Sequence, residues 1–256
     1  MDPGPDIVDE FAAEQDDLHQ LLSTLTAAEW ALPTPAVGWT VRDQISHLAH
    51  TEEAAHDTCV GGPQSLNLDS ARYASPEVWT ELGCERGRRM IDGPTVLAWW
   101  DSAAERNRGT LRALDPSARI PWGLGMGRRA FVTARIMEHW AHGLDVRMAV
   151  GRPGIDTERL RHVAWICSNA LPYALHFAGV TAPEGRALRF ELTAPDCVFG
   201  PPAAGEGAAT DLVAGPAGAW CRLAVQRCTR AEAEAAGLRA EGPLADLALG
   251  NARAFL

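Results

Sequence analysis

Four long segments in the first 150 residues carry apolar side chains at the three- and four-residue spacing of amphipathic helices, and this repetition constrains the fold most. The first segment runs from about Asp6 to Leu25, with apolar residues at positions 7, 8, 11, 18, 21, 22 and 25. The others cover about 41–60, 93–114 and 129–149. Because each helix must bury one face, the sequence predicts a four-helix bundle.

Residue types at the ends of these segments support their limits. Thr40 is a predicted N-cap, and Asp43 follows at the third helical position, where a carboxylate stabilises a helix start. Pro94 lies near the first turn of the third segment, and Gly151 follows the fourth as a left-handed C-terminal residue. A shorter helix is expected near 75–90.

The pattern changes after a fifth predicted helix over 156–179, in which Pro172 is expected to cause a kink or break. Residues 187–194, ALRFELTA, alternate apolar and polar side chains, which predicts a strand. Further elements are expected in DCVFGPP and ATDLVAG (short strands) and over 216–228 and 243–255 (helices). We therefore expect an α+β protein, with a helical bundle over 1–182 and a small α+β domain over 183–256.

Charge and hydropathy exclude several classes of protein. The net charge of −10 argues against binding to a phosphate backbone, so no nucleic-acid partner is expected. We find neither an apolar run of membrane-spanning length nor a signal peptide after the start MDPGPDIVDEF, which predicts a cytoplasmic protein with no membrane partner. The six cysteines are scattered without a C-x-x-C pair, so we expect reduced thiols rather than a cysteine zinc site.

The segment RIMEHWAHGLDV, residues 135–146, places acidic and imidazole groups in a stretch otherwise typical of a core helix. Glu138 and His142 are four residues apart and share one helix face, so they are either a hydrogen-bonded pair or two ligands of a metal. A third ligand from another helix would complete a bundle metal site. His47 meets this requirement, since it flanks the apolar stripe of its helix. The histidines that compete for the role are His50, His56 and His139.

Two longer motifs carry a family resemblance. GWTVRDQISHLA (38–49) and ARIMEHWAHGLDVRMAVG (134–151) resemble the signature segments of the DinB-like metalloprotein superfamily, and more closely its mycothiol-dependent maleylpyruvate isomerase branch. Within that branch the chain is most similar to an uncharacterised metal-binding subfamily. The resemblance implies that His47, Glu138 and His142 are the metal ligands, and it leaves His50 and His139 outside the pattern. The ELTAPD stretch (191–196) extends the likeness to the second domain.

The resemblance also implies a chemistry. Zinc, or another divalent metal, would be held with one open position, and mycothiol would be the co-substrate. A thiol bound beside Zn²⁺ loses its proton near neutral pH, and the thiolate can attack a small electrophile. The expected enzyme is an isomerase or an S-transferase, for example one that acts in a specialised biosynthetic pathway. Three alternatives stay open: a metal-dependent hydrolase, a thiol-independent biosynthetic enzyme, and a non-catalytic metal-dependent binding protein. The expected partners are small molecules, and the chain is expected to be a monomer or homodimer.

Two further residues of the same helix are assigned roles. Arg135 lies one turn before Glu138 and is predicted to be catalytic, holding either that carboxylate or a substrate carboxylate. The alternative is a structural ion pair with Asp145 or Asp43. Asp145 is predicted to accept a hydrogen bond from a ligand imidazole, the alternative being a surface charge.

The loop IPWGLGMGRR supplies the predicted substrate-binding residues. Trp122 is the best candidate for a pocket wall, and the alternative, favoured for any single tryptophan, is that the side chain fills the bundle core. Arg128 and Arg129 follow at a helix start, where the helix dipole disfavours cations. That placement predicts contact with an anion such as a substrate carboxylate, and the alternative is a solvated pair.

Overall fold

The computed structural model describes residues 6–123, 125–154, 156–194, 197–199 and 210–254. These residues form two compact units, divided after Gly154. Within the described ranges, no helix combines the length and the apolar character needed to cross a membrane.

The first unit consists mainly of helices. Its elements in chain order are α1 (Ile7–Leu22), α2 (Ala27–Trp30), α3 (Val41–Val60), α4 (Leu66–Asp69), a 3-10 turn (Ser70–Arg72), α5 (Pro76–Arg88), α6 (Gly93–Ala113), β1 (Arg119–Ile120), β2 (Met126–Gly127) and α7 (Arg128–Ala149). The long helices α1, α3, α6 and α7 match the four predicted segments to within about three residues at each end, as is usual for helix limits. The shorter α5 also lies where a helix was expected.

The long helices pack as a bundle around α3. This helix lies against α5, α6 and α7, and α1 lies against α6 and α7. The core between α1, α3 and α6 is apolar and includes Leu18, Leu22, Trp30, Ile45, Leu48 and Trp100, each at most 3% exposed. The four-helix bundle and the α+β class are therefore confirmed.

Local signals fix where the helices begin and end. Thr40 and Asp43 form a reciprocal capping box at the start of α3, since Asp43 N donates to Thr40 Oγ1 and Thr40 N donates to Asp43 Oδ2. Gly151 follows α7 with φ of +65°, a conformation that favours glycine. Both ends agree with the sequence prediction.

The second unit combines a mixed sheet with helices. Its elements in chain order are α8 (Leu160–Phe177), β3 (Leu188–Ala194), β4 (Cys197–Phe199), β5 (Asp211–Pro216), α9 (Ala217–Ala224), α10 (Arg230–Ala235), β6 (Arg239–Glu241) and α11 (Pro243–Asn251). The strand order is β4-β3-β5-β6, with β3 and β5 parallel and the other two pairs antiparallel. Parts of the predicted DCVFGPP and ATDLVAG segments lie outside the described residues.

The alternating pattern of β3 produces one buried face. Leu188, Phe190 and Leu192 are at most 1% exposed, and the Phe190 ring packs on Trp220 of α9 with 4.9 Å between centroids. The predicted strand is thus confirmed. Pro172 lies inside α8, which continues through it without the expected break.

The division between the units comes earlier than the expected boundary at 182/183. Helix α8 belongs to the second unit because its partners are α9 and α11, which follow it in the chain. The short elements α10 and β6 were not predicted. They become ordered through contacts with α9, β5 and α11, which the local sequence pattern does not record.

Candidate metal centre

Three side chains with nitrogen or oxygen donors converge between α3 and α7. His47 comes from α3, Glu138 and His142 come from α7, and one ligand atom of each lies within 4.8 Å of the others. The Nε2 atoms of His47 and His142 lie 3.7 and 3.5 Å from Glu138 Oε2. We call these residues the His–Glu cluster. Across the described part of the chain, no other group of His, Cys, Asp and Glu has this ligand arrangement.

The local sequence explains this convergence. Glu138 and His142 are one helical turn apart, so both extend from the same face of α7. The capping box at Thr40 sets the start of α3, and His47 follows two turns later on the side that packs on α7. The predicted residues are brought together, and their binding of a metal is still a prediction.

The ionisation of the cluster favours a cation. Burial lowers the pKa of His47 to about 4, which keeps that imidazole neutral near neutral pH. Burial on its own would raise the pKa of Glu138. The neighbouring imidazoles of His142 and His47, together with the charge of Arg135, outweigh burial and hold the pKa of this carboxyl well below its ordinary value. The site therefore offers neutral imidazole and ionised carboxylate, the forms that bind metals.

An aromatic ring lies beside both imidazoles. Trp39, in the loop before α3, has its ring centroid 5.2 Å from that of His47 and 6.1 Å from that of His142, almost parallel to the latter at 19°. The cluster is most accessible at Glu138, whose side chain is 24% exposed against 11% and 14% for the two histidines. Trp39 belongs to the motif on which the family resemblance rests, but it was not assigned to the site, although its place next to the N-cap of a ligand-bearing helix was a usable signal.

A second missed residue holds one of the ligands. Gln44, fully buried on α3, accepts a hydrogen bond at Oε1 from His142 Nδ1. Its Nε2 donates to Asp145 Oδ2 at 3.3 Å and to Thr34 Oγ1 at 2.9 Å. Asp145 was expected to accept directly from a ligand imidazole. The structure instead places Gln44 between Asp145 and His142.

The chain is similar to a known protein family and to two known proteins. The family model for the mycothiol maleylpyruvate isomerase N-terminal domain matches residues 11–147, more than half of the chain, including the whole His–Glu cluster. The chain belongs to this family. Two uncharacterised proteins from two strains of Mycobacterium tuberculosis are 34% identical to it over 235 residues, covering 88% of this chain and 86% of each relative.

Two solved structures have the same fold as this chain. The mycothiol-dependent maleylpyruvate isomerase superimposes with a TM-score of 0.60 at 20% identity. A histidine-to-alanine mutant of it superimposes with a TM-score of 0.61 at 18% identity. Each comparison covers 93% of both chains. At these identities the likeness shows that the family fold is shared.

Arg135 has a different partner from those expected. Its Nε and Nη2 lie 2.8 and 2.7 Å from Glu52 Oε1, and Nη2 donates to Thr51 Oγ1 at 2.9 Å. Both charged side chains are at most 2% exposed. Arg135 thus pairs with a buried carboxylate of α3 rather than with Glu138, Asp145 or Asp43. It acts on Glu138 through its charge.

The competing histidines have other surroundings. His139 donates from Nδ1 to the Arg135 carbonyl at 2.9 Å and accepts at Nε2 from Trp100 Nε1 at 3.2 Å. The ring of His50 packs on that of Trp79, 4.5 Å away, and His56 Nδ1 bonds Thr110 Oγ1 at 2.7 Å. None of the three belongs to the His–Glu cluster.

The predicted substrate-binding residues lie around the β1–β2 hairpin and the start of α7. Trp122 packs edge-on against Phe131 at 5.3 Å, and its ring centroid lies 5.8 Å from Arg135 Cζ. Arg128 donates from Nε to the Leu111 carbonyl at 2.8 Å and pairs with Asp6 at 3.5 Å. The side chain of Arg129 is exposed. These contacts hold Arg128 in place, and only Arg129 presents its charge to solvent.

Proposed function

We propose that this protein is a metal-dependent enzyme that uses a low-molecular-weight thiol, mycothiol or a close analogue, against a small electrophile, as an isomerase or S-transferase. The observation that carries the proposal is the His–Glu cluster, whose donors lie within 4.8 Å of one another in a member of this family. The name of the solved relatives supports the thiol and the reaction class.

The donors fit zinc or another divalent metal of intermediate softness. Two imidazoles and one carboxylate are a common set for catalytic zinc, in which a fourth position is left for a reactant. Zn²⁺ bound there would supply a positive charge that favours the thiolate form of a neighbouring thiol. The neutral state of His47 and the ionised state of Glu138 suit such binding without prior proton transfer.

The protein's own residues position the reactants around this site. His47, Glu138 and His142 hold the metal from one side, which leaves the more exposed side at Glu138 for co-substrate and electrophile. Trp39 covers the two imidazoles and presents an aromatic face to a planar, unsaturated substrate. Arg129 presents an exposed positive charge at the start of α7, nine residues before Glu138, and Arg135 is one of several groups that lower the pKa of Glu138.

Metal analysis is the first test of this proposal. Protein purified without chelator is expected to contain about one equivalent of metal per chain. His47→Ala and His142→Ala are each expected to lose it, while His56→Ala is a matched control because it changes a histidine of α3 outside the cluster. Full metal content in both cluster variants would show that the site is assigned wrongly.

Turnover is the second test. Maleylpyruvate and related unsaturated acids are supplied to the metal-loaded protein with and without mycothiol, and isomerisation or thioether formation is followed. We expect activity only with both metal and thiol. Turnover that needs the metal but no thiol would replace the thiol mechanism with direct metal catalysis, a hydrolase among the candidates. Thiol binding without turnover of any electrophile would favour a binding protein.

A further inference from the structure

Gln44 has a fixed orientation because each of its neighbours allows only one. An ionised carboxylate accepts hydrogen bonds and cannot donate, so the group facing Asp145 must be the amide NH₂. The Thr34 hydroxyl donates to the Trp39 carbonyl at 2.9 Å, so its oxygen is left to accept from the same NH₂. The carbonyl oxygen of Gln44 therefore faces His142.

This orientation determines which nitrogen of His142 carries the proton. Since Gln44 Oε1 can only accept, His142 Nδ1 must be the protonated nitrogen. Nε2 of the neutral ring then keeps its lone pair, and this atom lies 3.5 Å from Glu138 Oε2, on the side of the cluster. A metal can bind only the nitrogen that holds a lone pair.

We propose that Gln44, itself held by Asp145 and Thr34, is a positioning residue that locks His142 in the Nδ1–H tautomer and so presents Nε2 to the metal. This inference rests on the proposed metal-binding function. It also distinguishes the two imidazoles of the cluster. His47 Nδ1 is buried and has no hydrogen-bond partner among the described residues, so His142 is the ligand whose tautomer is fixed in advance.

The energetic consequence is a gain in metal affinity. Residues that orient a ligand imidazole typically change metal affinity by roughly 10- to 100-fold when they are removed. Gln44→Met keeps the length and apolar volume of the side chain but removes the acceptor. Zinc affinity, measured by competition with a chromophoric chelator, is expected to fall by roughly that factor.

Two further variants separate positioning from general damage to the bundle. Gln15→Met is the matched control, because Gln15 is another buried glutamine beside a histidine, 3.2 Å from His139 Nε2, outside the cluster. We expect its zinc affinity to equal that of the unmodified protein. The exchange Gln44→Glu with Asp145→Asn keeps the charge and again offers an acceptor to His142, with the donor now at position 145. It is expected to restore most of the affinity lost in Gln44→Met.

The tautomer can be read without any metal. In metal-free protein carrying ¹⁵N-labelled histidine, two-bond ¹H–¹⁵N correlation spectra at mildly alkaline pH should show His142 protonated at Nδ1, and Gln44→Met should show a mixture or the other tautomer. A wild-type ring protonated at Nε2, or a Gln44→Met protein with unchanged tautomer and unchanged affinity, would overturn the proposal. Failure of the wild-type protein to bind zinc would instead count against the proposed function, since the tautomer is measured in its absence.

Discussion

Replacement of Arg135 tests whether this residue serves the fold or the chemistry. The sequence placed it beside Glu138 as a catalytic residue, yet the structure buries its guanidinium against Glu52 with both side chains at most 2% exposed. Arg135→Met removes the charge and keeps most of the aliphatic volume. We expect a large loss of stability, with metal binding retained in whatever fraction of the protein is folded.

The magnitude follows from what Glu52 would lose. Arg135 approaches Glu52 Oε1 through two nitrogens at 2.8 and 2.7 Å, and Asn107 Nδ2 donates to Oε2 at 2.7 Å. Without Arg135 the carboxylate keeps the single Asn107 donor and no compensating charge in this contact. Breaking a fully buried ion pair in this way costs about 3–5 kcal/mol, a large part of the roughly 5–15 kcal/mol that stabilises a typical domain.

A double-mutant cycle measures the coupling. Urea unfolding of the full chain, followed by far-UV circular dichroism, gives the midpoint and slope for the wild type, Arg135→Met, Glu52→Gln and the double variant. The double variant should be clearly more stable than Arg135→Met, because neither charge is then left alone while Asn107 keeps an acceptor. Strictly additive losses, or a loss below about 1 kcal/mol for Arg135→Met, would refute the buried-pair reasoning. Loss of metal from a folded Arg135→Met protein would show that Arg135 contributes to metal binding.

Three other measurements test the packing and ionisation. Gly87→Ala should lower the melting temperature, since the added Cβ would lie 1.8 Å from Ser46 Oγ and cost about 1–3 kcal/mol. Gly109→Ala should raise it, since this position is exposed and the added Cβ would meet no atom within 4 Å beyond its own stretch of helix. Burial lowers the pKa of His139 from 6.5 to about 4. As the pH falls between these values, the unfolded chain binds a proton at this imidazole and the folded protein does not, so about 3 kcal/mol of stability is lost. His139→Gln should flatten the acid-side dependence in urea titrations, and an unchanged slope would contradict this. Burial raises the pKa of Cys84 to about 12, so peptide mapping should show little iodoacetamide labelling there near neutral pH, against full labelling after unfolding.

Helical periodicity was sufficient to predict the bundle and to place Glu138 and His142 on one helix face, whereas the choice of His47 over the other histidines rested on the family resemblance. Glu138 and His142 had to share a face because they are one turn apart, and the capping box fixed the start of the helix that bears His47. Helical periodicity does not predict which polar side chain becomes buried when a neighbouring helix packs against it. Gln44 was missed for this reason, since its burial depends on the packing of α3 against α7.

The burial of Glu52 was not predicted, although the sequence contains a signal for it. It continues the four- and three-residue spacing of Val41, Ile45 and Leu48, so a charge falls on the apolar stripe of α3. A charged residue on a core-facing stripe requires a buried partner, and Arg135 supplies it from α7. The spacing could have predicted the burial of Glu52. The identity of its partner could not be predicted, because it depends on the register between two helices that are distant in sequence.

Helix α7 carries two histidines three residues apart, and only one of them belongs to the His–Glu cluster. His139 uses both ring nitrogens within the core, Nδ1 to the Arg135 carbonyl and Nε2 to the Trp100 indole, so no lone pair is left to offer. His142 uses Nδ1 alone, for Gln44, and its Nε2 lies 3.5 Å from Glu138 on the accessible side of the cluster. Saturation of the ring nitrogens therefore separates a structural histidine from a candidate ligand in the same helix. Removal of both groups that contact His139 Nε2, by Trp100→Phe together with Gln15→Met, is still expected to create no metal site there, since the ring remains fully buried beside the Arg135–Glu52 pair.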